Sequence, residues 1–315
     1  MEVPSGGPAI RLPSALAGHA RDVLAGRVPP AVPRDAATVM LLRSGPLAGP
    51  LAGPPPPAAG RPPAASRPPA AGQPAGPEPG IEVYMLRRKS SMAFAPGAFV
   101  FPGGSVDARD ADEDVAWAGP DVATWGRVFD APDHLARALV CAAVRETFEE
   151  SGVLLAGPSA ETVVADTSGD DWEADRNALL DRSVSLAELL ARRHLVLRAD
   201  LLRPWSRWIT PVAEKRRFDA RFFAAALPPG QRTRDVGGEA AQVAWVRPAD
   251  AIAAGRNKEI VLWPPTAVTL AELASCGTVA AALAVPRQVR PLLPEITLTE
   301  GTPWLTVPGE QEYPL

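Results

Sequence analysis

A single predicted helix, spanning about residues 133–151, sets the main constraint on how this chain can fold. At 3.6 residues per turn, Val140 and Val144 share an apolar face, while Glu146, Glu149 and Glu150 gather on the opposite one. Like charges at such spacing repel by about 0.2–0.5 kcal/mol per pair, and a bound divalent cation relieves that repulsion. Clustered carboxylates suit Mg²⁺ or Mn²⁺. A solvated acidic face that ends at a glycine explains the three glutamates equally simply. The helix alone therefore does not distinguish a metal site from an ordinary surface.

The segment upstream favours the metal interpretation. Residues 97–104 read as an apolar strand that runs into Pro102, Gly103 and Gly104, a turn where backbone can approach a ligand closely. In this order, the glycine turn and the Arg-Glu-x-x-Glu-Glu-x-Gly-Val segment that begins at Arg145 resemble the Nudix box, the signature of the Nudix hydrolase superfamily. The resemblance implies an enzyme that cleaves a nucleoside diphosphate linked to another moiety, using divalent metal on the box glutamates.

The spacing inside the box departs from the usual pattern. Gly104 and Arg145 are 41 positions apart (145 − 104), against about 14 in the usual box, which predicts an insertion of about 27 residues (41 − 14) near residues 108–132. Arg137 occupies the position eight before the arginine, where the box normally has a glutamate. An insertion at this point resembles the branch that contains peroxisomal coenzyme A diphosphatase. The further segments that match this branch are residues 92–98, 206–211, 216–223 and 258–265.

The resemblance assigns roles to the residues of the box. Glu149 and Glu150 are expected to hold the metal, Mg²⁺ or Mn²⁺, together with the backbone carbonyl of Gly103. Glu146 is expected to bind a further metal ion or to orient the attacking water. Arg145 is expected to fix the box carboxylates by paired hydrogen bonds, a geometry that lysine does not reproduce.

Five residues outside the box helix are candidate contacts to the substrate or catalytic centre. Glu239 lies where this branch would place one more acidic residue, although an ordinary loop glutamate is nearly as good an interpretation. Arg217 and Arg221 are the candidate substrate-binding cations, because they lie in a segment that resembles the branch, and alternation predicts that they share one strand face. A solvated sheet edge is the better-supported alternative for both. Gly103 and Gly104 are expected to let the backbone approach the substrate.

The fold implied by the resemblance is the Nudix α/β/α sandwich, a mixed sheet held between helices. Residues 1–35 form an N-terminal arm and residues 36–315 the Nudix domain. Residues 45–80 contain 13 prolines and are predicted to be disordered or polyproline-like, inflating a hairpin between strands 36–43 and 81–87. The box insertion carries aromatic side chains and is predicted to form a helical lid over the site. Asp133 is predicted to cap the box helix.

Composition limits the function classes. The net charge of −4 and the absence of a basic block argue against nucleic acid as a partner. There is no apolar stretch of about 20 residues to cross a membrane and no visible secretory signal. Cys141 and Cys276 are too few for a disulfide framework, which favours a reducing cytoplasm. The oligomeric state is left open.

Three functions follow from the resemblance. The leading one is metal-dependent hydrolysis of a small-molecule nucleotide substrate, coenzyme A or acyl-coenzyme A, to 3′,5′-ADP and (acyl-)phosphopantetheine. The second is the same chemistry on another nucleoside diphosphate derivative, such as a dinucleotide or a sugar nucleotide. The third is a binding module that keeps the fold without turnover.

Overall fold

The computed structural model describes residues 9–11, 14–45, 80–91, 95–234, 240–307 and 314–315. The strands in this part of the chain are β1 (Ala9–Arg11), β2 (Arg34–Gly45), β3 (Gly80–Arg88), β4 (Phe99–Val100), β5 (Gly103–Ser105), β6 (Trp117–Ala118), β7 (Ala156–Gly157), β8 (Val196–Arg198), β9 (Arg203–Ile209), β10 (Phe218–Ala226), β11 (Ala240–Val246), β12 (Pro291–Leu292), β13 (Glu295–Thr299) and β14 (Thr302–Thr306). The helices are α1 (Ser14–Leu24), α2 (Val122–Phe129), α3 (Asp133–Ser151), α4 (Asp170–Leu180), α5 (Leu186–Arg192), α6 (Pro248–Arg256), α7 (Pro264–Cys276) and α8 (Val279–Ala284).

One eight-stranded mixed sheet organises the domain. Its strands follow the order β11-β3-β2-β10-β9-β12, with β4 added to β3 and β5 added to β2. Strand β10 runs parallel to β2, and β12 runs parallel to β9, whereas the remaining pairs are antiparallel. Two smaller three-stranded sheets, β1-β14-β13 and β6-β8-β7, lie outside it. The mixed sheet is the one predicted for a Nudix fold.

Both faces of the central strand β2 are buried, because helices cover the sheet on each side. Val39 and Leu41 point into a core that includes Val144 and Phe148 of α3. Met40 and Leu42 point the opposite way, into a second core that includes residues of α6 and α7. Strand side chains alternate between faces, so a strand buried on both sides reads as a continuous apolar run. The result is the α/β/α sandwich that the resemblance implied.

The strands on either side of the proline-rich tract are hairpin neighbours. Gly45 pairs with Gly80 and Leu42 with Val83 in an antiparallel register. Residues 46–79, on which the predicted disorder falls, lie outside the described residues. The N-terminal arm is tied to the other end of the chain, since β1 pairs with β14. The strand expected to begin at residue 36 begins at Arg34.

The box insertion does not form the predicted lid. Its helix α2 places Trp125 and Phe129 in the core, stacked with ring centroids 5.8 Å apart. Phe129 also packs edge-on against Phe223 of β10 at 5.1 Å. The two aromatic rings withdraw more apolar surface from water in the core than they would in a lid over a polar site. This gain favours packing of α2 against the core.

Helix α3 has the predicted bounds, but the predicted cap is wrong. Pro132 occupies the N-cap position and makes no side-chain capping hydrogen bond, while Asp133 is already the first helical residue. An acidic residue in the first turn still interacts favourably with the positive end of the helix dipole.

Candidate active site

The C-terminal half of α3 lies against the glycine turn. The backbone N–H of Gly103 donates a hydrogen bond of 2.8 Å to Oε2 of Glu150. A Cβ atom placed on Gly104 would come within 2.4 Å of Oε1 of Glu146, so this position tolerates no side chain without moving that carboxylate. A Cβ on Gly103 would lie 2.5 Å from the carbonyl oxygen of Ala37. Close packing against a carboxylate therefore explains Gly104, and close packing against the backbone of β2 explains Gly103.

Arg145 joins the carboxylates of the helix to the loop that follows the glycines. Its Nη1 donates to Glu146 at 2.7 Å and contacts Glu149 at 3.2 Å. Its Nε and Nη2 each donate to Asp110 at 2.9 Å, and Nη2 also donates to the carbonyl of Ser105 at 3.0 Å. The planar guanidinium thus binds one carboxylate bidentately while orienting two others, which a lysine cannot do.

Asp110 corrects the interpretation of the box. It is 3% exposed and occupies the sixth position after Gly104, where the usual box has its first glutamate. Arg137, eight positions before the arginine, is not part of the acidic cluster: its guanidinium lies 5.5 Å from the ring of Trp117. The spacing that is kept is the one from the glycine forward to the acid. The extra residues therefore follow Asp110 instead of replacing it.

The acidic face of α3 is not solvated. Glu146 and Glu149 are 8% and 7% exposed, which excludes the simple explanation of a surface acidic patch. Desolvation by burial raises the pKa of Glu146 to about 7, against the opposing effect of the neighbouring Arg145 cation. Burial also raises the pKa of Glu149. Buried carboxylates that are costly to ionise gain from a positive partner.

The donor set fits a hard divalent cation, although no such site is preassembled. Among the described residues, no group of three or more His, Cys, Asp or Glu side chains converges as a ready metal cage. The reason is that Arg145 holds Glu146 and Glu149, while Glu150 accepts from Gly103. All three glutamates nonetheless line one cavity, and oxygen donors in this number suit Mg²⁺ or Mn²⁺. The expected role of the Gly103 carbonyl as a ligand stays a prediction.

A cavity of about 620 Å³ extends from these carboxylates across the sheet. Ser105, Ala36, Ala220 and Trp208 are successive partners on β5, β2, β10 and β9, and all four line the cavity. Three strand spacings of about 4.8 Å make this floor about 14 Å long. The walls at the end away from the glycine turn are largely apolar, formed by Ile209, Pro211, Ala213, Phe218, Phe222 and Pro294 of β9, β10 and the adjoining loops.

The predicted substrate cations are placed elsewhere. Neither Arg217 nor Arg221 is among the residues that line the cavity. Arg217 donates to the carbonyls of Thr210 and Ala31, and Arg221 pairs with Asp35 and Asp219. Both are buried, and these contacts hold strands and loops together.

Other cations do reach the cavity. Arg88 and Arg216 line it. So does Arg176 of α4, which is 2% exposed and donates from Nη1 to the backbone carbonyl of Glu149 at 3.0 Å. No local pattern around Arg176 marks it as a site residue; only the packing of α4 on α3 brings it to the cavity. Glu239 lies outside the described residues, so its role stays a prediction.

Comparisons with known proteins agree with this geometry. Residues 121–273 match the family model of the NUDT19 Nudix domain. Acyl-coenzyme A diphosphatase NUDT19 of Gallus gallus is 30% identical over 237 residues, covering 61% of each chain. The Xenopus laevis protein of that name is 26% identical over 231 residues, 61% of this chain and 59% of its own. The chain thus spans about three fifths of the length of these relatives.

A solved structure extends the comparison to the fold. The crystal structure of a Nudix hydrolase from Alicyclobacillus acidocaldarius superposes with a TM-score of 0.61 and 25% identity, covering 82% of this chain and 98% of the other. The chain has the Nudix fold, and it resembles Nudix hydrolases of the NUDT19 branch, as the insertion in the box predicted. These similarities favour an enzyme over the binding module without turnover. In the described part of the chain, no helix has the length and apolarity to cross a membrane.

Proposed function

We propose that this enzyme hydrolyses the diphosphate linkage of coenzyme A or acyl-coenzyme A, giving 3′,5′-ADP and (acyl-)phosphopantetheine. One observation carries the proposal: a single cavity joins the carboxylates of α3 to a largely apolar wall about 14 Å away across the sheet. A substrate that places a diphosphate at one end and an apolar chain at the other matches this division. The names of the relatives support the same substrate class.

The carboxylates of α3 would form the reaction centre. Glu149 and Glu150 would hold Mg²⁺ or Mn²⁺, with Glu146 beside them. A divalent cation held there would supply neutralisation of the phosphate oxygens and activation of water. Glu146, whose pKa is raised by burial, would bind a further metal ion or orient the attacking water. Arg145 keeps Glu146 in place, and the Gly103 N–H fixes the orientation of Glu150.

A cation at the cavity would receive the nucleotide end of the substrate. Arg88 lines the cavity from β3, on the other side of β2 and β10 from strand β9. We assign the 3′-phosphate of the adenosine to this side chain, because charge-assisted hydrogen bonds to phosphate favour arginine. This assignment replaces Arg217 and Arg221, whose guanidinium groups are engaged in the framework.

An assay panel tests the proposal against the second candidate, a dinucleotide or sugar nucleotide. Coenzyme A, acyl-coenzyme A, NADH, ADP-ribose and dinucleoside polyphosphates would each be incubated with enzyme and Mg²⁺ or Mn²⁺, and the products separated by ion exchange. We expect 3′,5′-ADP from the coenzyme A compounds with the highest kcat/KM. A far higher kcat/KM on any other compound would refute the coenzyme A assignment.

The state of the cysteines and the net charge indicate the compartment and the kind of substrate. Both cysteines are free thiols, Cys141 buried and Cys276 partly buried, which supports a reducing compartment such as the cytoplasm. The net charge of −4 supports a small-molecule substrate without nucleic acid.

A further inference from the structure

Glu214 differs from the other acidic residues of the cavity. Glu146 and Glu149 bind Arg145, and Glu150 accepts from the Gly103 N–H. Glu214 lies on the loop between β9 and β10, is half-buried and lines the same cavity. Within the described residues, no hydrogen bond or ion pair reaches its carboxylate, and burial raises its pKa. A carboxylate in this position has acceptor capacity that nothing in the described chain uses.

The loop that carries Glu214 is held rigidly. Thr210 and Phe218 close its base, the Thr210 N–H donating to the Phe218 carbonyl at 2.9 Å and the Phe218 N–H to Thr210 Oγ1 at 3.0 Å. Arg217 adds a bond of 2.9 Å to the Thr210 carbonyl, and the Glu214 N–H donates to the Pro211 carbonyl at 3.1 Å. The backbone of the loop is therefore already ordered before a ligand binds.

A ligand that fills the cavity would displace the remaining water from Glu214. Leaving a carboxylate without a partner is costly, so the ligand must offer a hydrogen-bond donor at this point. Phosphate groups are excluded there by like charge, and an acyl chain has no donor. Trp208, next to the loop, marks the end of the cavity floor away from the glycine turn. The part of the substrate between diphosphate and acyl chain is the pantetheine arm, which carries two amide N–H groups and a hydroxyl.

We infer that Glu214 is a specificity-determining residue that accepts a hydrogen bond from an amide N–H of the pantetheine arm. The inference rests on the proposed function and deepens it. Glu214 takes no part in bond cleavage, so its contribution is to the binding of pantetheine-containing ligands. Arg217 supports it indirectly by holding the loop.

The test measures steady-state kinetics of Glu214→Ala and Glu214→Gln on acyl-coenzyme A and on ADP-ribose, which lacks the pantetheine arm. We expect Glu214→Ala to raise KM for acyl-coenzyme A about tenfold with kcat within about twofold. Glu214→Gln keeps an acceptor oxygen and should recover most of the loss. The KM for ADP-ribose should be unchanged in both variants. Glu295→Ala, which removes an exposed acid outside the cavity lining, is the matched control.

Binding without turnover separates this inference from the proposed function. Calorimetric titration with 4′-phosphopantetheine in metal-free buffer should show a Kd about tenfold weaker for Glu214→Ala than for the wild type, whichever substrate the enzyme prefers. An unchanged Kd would overturn the inference even if acyl-coenzyme A is cleaved. An equal rise in KM for ADP-ribose would also overturn it, because the donor would then belong to the adenosine end.

Discussion

Arg145 donates two hydrogen bonds of 2.9 Å to Asp110, a residue 35 positions earlier in the chain. The two side chains are 12% and 2% exposed, so the pair is largely shielded from water. The same guanidinium contacts Glu146 and Glu149, so Arg145 connects the Asp110 carboxylate to these two glutamates. The geometry of the acidic cluster therefore depends on a loop that precedes a long insertion.

Removing Asp110 is expected to damage both stability and catalysis. Asp110→Ala leaves Arg145 as a buried cation without its bidentate partner, and the free energy of unfolding should fall by about 3 kcal/mol. Asp110→Glu restores a carboxylate and should recover much of kcat. Urea unfolding and steady-state kinetics check both effects, with Glu113→Ala, an exposed neighbour, as the control. An Asp110→Ala enzyme with wild-type stability and kcat would contradict the assigned role.

The two glycines should respond differently to alanine. In Gly104→Ala the new Cβ meets only the end of the Glu146 side chain, so the protein should fold with nearly unchanged Tm but lose at least about 100-fold in kcat. In Gly103→Ala the Cβ meets the backbone of β2 at Ala37, and Tm should fall clearly. Thermal melts and kinetics of the pair separate the two cases. Equal Tm losses would show that Glu146 cannot move aside.

Neutralising the proposed metal ligands should abolish turnover without unfolding the protein. Glu149→Gln and Glu150→Gln keep side-chain size but remove charge, and each should lower kcat by about 100-fold or more, equivalent to several kcal/mol of transition-state stabilisation. Calorimetric titration with Mn²⁺ should show weakened binding in both variants, and circular dichroism should be unchanged. Adding EDTA to the wild type should have the same effect on rate, reversed by excess Mg²⁺. Full activity in both variants would mean that the catalytic role is misplaced.

The two cysteines should differ in reactivity. Burial raises the pKa of the Cys141 thiol to about 12, so almost no thiolate forms there at neutral pH, and the side chain is out of reach of reagents. Cys276 is only partly buried. A disulfide reagent should therefore titrate one thiol per chain in the native protein and two after unfolding in guanidinium chloride. Rapid reaction of two thiols in the native state would show that α3 opens readily.

Short-range patterns in the sequence predicted much of the fold. The apolar stripe from Val140 to Phe148 predicted a helix with the bounds that α3 has. Ser185 and Glu188 have the spacing of a capping box, which is typical of a helix start, and both hydrogen bonds of that box are present at the start of α5. Such features depend on neighbours within about four residues, where helix geometry fixes which side chains meet.

The burial of other side chains depends on contacts between segments that are far apart in the sequence. Local sequence patterns do not predict these contacts. Arg217 alternates along its strand as a surface cation would, yet it is buried because Thr210 and Ala31 offer it carbonyls. Trp125 reads as part of a surface insertion, yet it packs in the core beside Phe223.

The sequence by itself determined that three glutamates share one helix face, because helical periodicity is a local property, and the resemblance to the Nudix box predicted that the glycine turn belongs with them. Only the tertiary structure decided that Asp110 partners Arg145 and that Glu214 shares a cavity with the acidic cluster. These contacts form only when the sheet and its loops pack together around the cavity. Tertiary packing therefore sets how far each charged side chain is buried, and with it the desolvation cost of each charge.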